Sequence, residues 1–145
     1  MKRTPLAKRG KSPAAKAKAK CWAAFSRYIR TRDCLATTGT LDEGECVSCG
    51  KRHPFGKVHA GHFIPGRRNS ILFDERGCHL QCYACNIHLH GNSVLYFKRM
   101  QKMHGDSVID DLLRLNGVSV KFSVEDLDRM TADYEARTKA LEEGV

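Results

Sequence analysis

The chain has 145 residues and a formal net charge of +9, from 25 Lys+Arg against 16 Asp+Glu. That length allows one domain with tails, and a 41% hydrophobic content supports a modest core. No apolar run approaches the ~18 residues that span a bilayer, which excludes a transmembrane protein and a membrane partner. The opening text MKRTPLAKRGKSPAAKAKAK is charged with no apolar stretch after it, so a secretory signal is not expected and the expected location is the cytoplasm. In a reducing compartment the seven cysteines read as metal ligands before disulfides.

Charge is unevenly placed. Residues 1–35 carry eleven Lys/Arg and one acid, Asp33, whereas residues 106–145 carry ten acids and five bases. A basic front predicts a polyanion partner, and nucleic acid is the first candidate because each neutralised phosphate releases a counterion.

In chain order, residues 1–13 hold Lys, Arg, Pro and Gly with almost nothing to bury, and predict a disordered basic arm. Residues 14–45 predict a basic helix and a connection. Trp22, Phe25 and Ile29 share one helical face from Ala14 to about Arg32, with Lys16, Lys20, Arg27 and Arg30 mostly off it, free for solvent or phosphate. Residues 46–104 form a segment dense in Cys, His and Gly that ends in a helix with Tyr96 and Met100, for which Asn92 or Ser93 is the expected cap. Residues 105–145 predict a C-terminal helical extension. One helix there is capped by Asp106 or Ser107, and another by Ser123 with Glu125 and Asp126 in its first turn.

Cys46-x2-Cys49 and Cys82-x2-Cys85 are two knuckles. Two residues between the cysteines let a tight turn aim both sulfurs at one ion, and four thiolates suit structural Zn²⁺. Gly50 supplies a permissive backbone for the first turn. Cys78 is the rival for a ligand place, while Cys21 and Cys34 read as small buried hydrophobes. Zinc binding also substitutes for the core that this polar segment lacks.

Between and across the knuckles the text runs HAGHFIPGRRNSILFDERGCHLQCYACNIHLHGN. This stretch, with FSRYIRTRD before it, closely resembles the phage NinG/Rap recombination endonucleases, of the HNH or His-Me finger nuclease type. The likeness covers roughly residues 21–104. It implies an α+β fold: a small zinc-bound ββα-metal, treble-clef-like core with a basic N-terminal helix and C-terminal helices. It implies hydrolysis of branched DNA such as Holliday junctions and D-loops, in the host-cell cytoplasm if the chain is phage-encoded. His62 matches the general base and Asn86 the metal-binding last position of the motif. Many such nucleases have Asp directly before the base; here that residue is Gly61, with His59 the nearest replacement and Asp74 and Glu75 further candidates. The middle Asn falls on Gly77, leaving His79 or Asn69 for its role.

The chemistry agrees with those residue types. A neutral histidine suits proton abstraction from water, and a hard cation such as Mg²⁺ or Mn²⁺, with few protein ligands, suits the phosphate. Treble-clef geometry would set His62 opposite Asn86 across a small cleft. Arg67, Arg68 and Arg76 are phosphate-clamp candidates. The two-fold symmetry of a junction makes a homodimer an expectation, with the acidic C-terminal helices as its interface. Two other readings stay open: a zinc-finger DNA-binding accessory protein without catalysis, and an RNA-binding zinc ribbon.

Overall fold

The first helix starts where its local chemistry dictates. Pro13 takes the first helical position, where a missing N–H costs nothing, and the Ser12 hydroxyl accepts from the Ala15 amide at 3.2 Å. The computed structural model describes residues 6–145, so the first five residues of the expected arm lie outside the described residues. Residues 6–12 carry no regular structure and are exposed.

Helix α1 spans Pro13–Thr38, six residues beyond the expected end. The extension is held by burial. Thr31, Asp33 and Cys34 are all buried, and the Asp33 carboxylate accepts the Leu80 amide at 2.8 Å. The helix stops at Gly39, in the left-handed region at φ 74°, whose N–H reaches the Leu35 carbonyl.

Two antiparallel ribbons follow. Strand β1 (Glu43–Glu45) pairs with β2 (Arg52–Pro54), and β3 (Val58–His62) pairs with β4 (Cys78–Cys82). The register sets His59 opposite Gln81, Gly61 opposite His79 and His62 opposite Cys78. The loop from β3 to β4 contains the short helix α2 (Asn69–Leu72). A π-helical turn, Ala84–His88, follows β4 directly.

Three helices complete the chain: α3 (Ser93–His104), α4 (Asp106–Asn116) and α5 (Val124–Glu143). Helix α5 carries the expected cap as a full capping box between Ser123 and Asp126. Asn92 differs from expectation. It is left-handed at φ 45°, and its amide donates to Cys85 Sγ at 3.4 Å instead of capping α3. Helix α4 begins at Asp106 after Gly105, with no side-chain cap.

The core has two main parts. Ala17, Cys21, Phe25, Tyr28 and Ile29 of α1 pack with Leu127 and Tyr134 of α5 and with Leu72 and Phe73. Tyr96 and Met100 of α3 pack with Ile109 and Leu112 of α4, Val47, Ile64 and Ile71. The result is a mixed α+β chain with two small antiparallel sheets. Among the described residues, no helix is long and apolar enough to cross a membrane.

Candidate functional site

The two knuckles meet. The sulfurs of Cys46, Cys49, Cys82 and Cys85 all lie within 4.8 Å of one another, with Cys49 and Cys82 at 3.9 Å. Thiolates about 2.3 Å from one tetrahedral ion would stand about 3.8 Å apart, so the four could hold a metal such as zinc. The turn after Cys46 closes through Gly50, at φ 74°, whose amide donates to the Cys46 carbonyl at 2.8 Å. The Cys85 amide donates to Cys82 Sγ at 3.4 Å, the kind of donor that supports a thiolate. Cys78 is not part of the cluster. It is 0% exposed within the α1–α5 core, and burial pushes its thiol far above the ordinary value. Cys21 and Cys34 are equally buried, as expected.

Beside this cluster lies a cleft of about 600 Å³, whose lining includes Trp22, Arg30, His59, His62, Arg67, Asn86 and His90. Strand alternation sends His59 and His62 to opposite faces of β3, and both reach the cleft at its walls. The His62 ring stacks on Trp22 at 5.2 Å. Its Nε2 lies 2.9 Å from the Leu72 carbonyl, an acceptor only, so Nε2 carries the proton and Nδ1 the free lone pair. Burial pulls the His62 pKa below 6.5; the Leu72 hydrogen bond opposes this and the Arg67 charge adds to it. The neutral ring is therefore favoured. Across the cleft floor the Asn86 amide sits 3.0 Å from His59 Nδ1, and His59 meets Tyr83 edge-on at 5.8 Å. Among the described residues, no carboxylate lines this cleft.

Gly61 has a steric cause. A Cβ built there would lie 1.9 Å from Gln81 Oε1. Gln81 is 0% exposed and cannot swing away, because its Nε2 donates to Ser48 Oγ at 2.9 Å and to the Gly91 carbonyl at 2.7 Å. The Gln81 carboxamide thus occupies the space an aspartate at position 61 would need, while tying the first knuckle to Gly91, in the turn that follows the π-helical one. Gly77 is less confined: a Cβ there would lie 3.3 Å from a Leu112 methyl, a tight contact that a small shift of that side chain relieves.

A family model described as "Bacteriophage Lambda NinG protein" matches residues 3–144. The chain belongs to the NinG family. It is 29% identical over 119 residues to Protein ninG of Escherichia phage 933W, covering 81% of this chain and 54% of that protein. It is 28% identical to Protein ninG of Escherichia phage lambda over 81% of this chain and 53% of the relative. The figures for Protein ninG of Salmonella phage P22 are 28%, 81% and 54%. The chain thus spans about half the length of the curated relatives it matches. No solved structure matches it.

In this NinG-family chain the other predicted residues divide clearly. Arg30 and Arg67 line the cleft, Arg67 lying 4.2 Å over the Trp22 ring. Lys16 and Lys20 are exposed on α1, and Arg68 is exposed before α2. Arg27 instead pairs with Glu142 at 2.7 Å. Arg76 is taken up by Asp74 at 2.7 Å and Asp111 at 2.9 Å, which leaves it poorly placed to clamp phosphate. Asp74 and Glu75 do not reach the cleft; Glu75 is bound by Arg137. Asn69 donates to the Val120 carbonyl, and His79 sits in a network with Asp33, Arg32 and His104. His104 is half-buried by these contacts. Trp22 carries a role that its place in a helical stripe concealed. It packs on the core, yet its ring forms the wall behind both His62 and Arg67.

Proposed function

We propose that this chain is a metal-dependent DNA endonuclease that hydrolyses phosphodiesters in branched recombination intermediates such as Holliday junctions and D-loops. One observation carries the reading: His62, with its Nε2 against the Leu72 carbonyl, lines an arginine-bearing cleft together with the paired His59 and Asn86. The order of the β3–β4 pair and the turn that carries Cys85 and Asn86 supports the HNH reading of the text, with a five-residue π-helical turn standing where a ββα-metal core has its helix.

His59 and Asn86 would hold a divalent cation, with the phosphate oxygens supplying the negative charge the cleft lacks. An imidazole nitrogen and a carboxamide fit Mn²⁺ at least as well as Mg²⁺. When bound, the ion would polarise the phosphate and stabilise the departing 3′-oxygen. His62 Nδ1 takes a proton from water, the hydroxyl oxygen bonds to phosphorus, and the P–O3′ bond breaks. Arg67 and Arg30 hold the flanking phosphates.

The test is His62→Ala on a four-way DNA junction with Mg²⁺ or Mn²⁺. Wild type should cut, and the variant should bind with similar affinity while cutting at least 100-fold more slowly. The Gly61 departure favours a second reading, an accessory protein that binds without cutting. That reading wins if wild type binds the junction and leaves it intact across several divalent ions.

A further inference from the structure

The side of the cleft beyond Asn86 holds a feature that hydrolysis does not use. The turn after Cys82 exposes large apolar side chains: Tyr83 is 52% exposed, Ile87 46% and Leu89 56%. Val94, at the start of α3, is 69% exposed. A soluble surface seldom gathers such residues without a partner. Tyr83 and Ile87 are four residues apart and so share one side of the turn. The backbone beneath them is pinned on both sides of Tyr83 by the metal-binding cysteines Cys82 and Cys85. This is a rigid apolar platform, and its edge is the cleft itself, since Tyr83 meets His59 at 5.8 Å.

The surrounding charge selects the occupant. From Arg76 to Gly105 the chain contains no Asp or Glu, while Lys98, Arg99 and Lys102 are present and His88 and His90 flank the turn. An apolar platform on an acid-free stretch of chain, set beside an arginine-bearing cleft, suits a partner that is anionic along its backbone and flat and apolar at its bases. From the cleft to the Tyr83 ring is less than two stacked base steps of about 3.4 Å. We infer that Tyr83 and Ile87 form a stacking platform for unpaired bases next to the scissile phosphate, and that this platform selects branched or distorted DNA over intact duplex. Base faces are available to it only where pairing is broken. The inference rests on the nuclease reading for its substrate, and deepens it.

The full-length, zinc-loaded chain is titrated, without added Mg²⁺, against two DNAs carrying 2-aminopurine. One places the probe at an unpaired branch position, the other within intact duplex of the same sequence. Wild type should favour the branched DNA and quench its probe. Tyr83→Ala with Ile87→Ser should weaken branched binding at least 10-fold and leave duplex binding within two-fold, whereas Tyr83→Trp should retain the preference. Equal loss on both DNAs, no loss on either, or a wild-type dimer that Tyr83→Ala splits would each overturn the platform. Parallel cleavage assays separate the two ideas. Cutting with an unchanged branch preference in the variants removes the platform and leaves the nuclease. Tyr83-dependent branch binding without cutting under any divalent ion removes the nuclease and leaves the platform.

Discussion

His62 shows how one side chain is prepared by its surroundings. Its Nε2–H is spent on the Leu72 carbonyl, its face is covered by Trp22, and burial with the nearby Arg67 favours the neutral ring. A group whose pKa falls below 6.5 keeps its lone pair as the pH drops through that value. Single-turnover cleavage should therefore show an acid limb centred below pH 6.5, and a limb centred above 6.5 would contradict His62 as the base. Gly61 is the complementary case, a residue defined by what cannot be added. Gly61→Ala should cost about 1–3 kcal/mol of stability from overpacking against the fixed Gln81, read as a lower urea midpoint. Gly61→Ala with Gln81→Ala should recover part of that loss if the Gln81 carboxamide is the obstacle. HAGH names the histidines in the text, but nothing local announces that Gln81, twenty residues later, fills the aspartate's place.

Among the elements, the π-helical turn does the most positioning. It carries Cys85 toward the cluster, Asn86 toward His59, and Tyr83 and Ile87 toward solvent. A five-residue turn has no periodicity to read; the spacing of Cys82 and Cys85 marks a tight bend there, because cysteines two residues apart can aim at one ion only from such a bend, but not its π-helical form. Metal binding should hold the turn in place. Cys85→Ser should reduce zinc content from one per chain to near zero and lower the thermal midpoint sharply, since a structural zinc contributes on the order of 10 kcal/mol to small domains; an unchanged metal count by atomic absorption would refute the cluster. The helices were readable from their caps and stripes where the chain supplied them, as at Ser123, while the Ser12 cap lay hidden in what reads as a disordered arm. The end of α1 was not readable either. Its last turns are held by Asp33 bonding to β4, a contact with a residue 47 positions away.

Across the molecule, that contact belongs to a buried network linking α1, β4 and α3. Hydrogen bonds from His79 and Arg32 outweigh the cost of burial and hold Asp33 below the usual carboxylate range. His104 closes the network against His79 at 3.1 Å, and burial together with the charges of His79, Arg32 and Arg76 pushes its pKa down. The sign follows from linkage. The unfolded ring takes up a proton near 6.5 while the folded ring resists it, so stability is complete above that pH and is lost as the pH falls through the folded value. Between pH 7.5 and 5.5 the urea midpoint should drop, and the drop should be smaller in His104→Gln; equal drops would exclude His104 from this role.

Short spacings were enough to locate the four clustered cysteines and several helix starts, because each depends on neighbours within a few positions, whereas the α+β expectation and the choice of His62, His59 and Asn86 came from the likeness of the text to a family. The chain's order alone could not assign the arginines. Arg67 and Arg76 look alike in the text, yet one lies over Trp22 at the cleft and the other is neutralised by Asp74 and by Asp111 on α4. Nor could it reveal the Gln81 plug or the exposed apolar turn. Those depend on which surfaces packing brings together, and a charge or cavity takes its meaning from the partner that the fold, not the sequence neighbour, puts beside it.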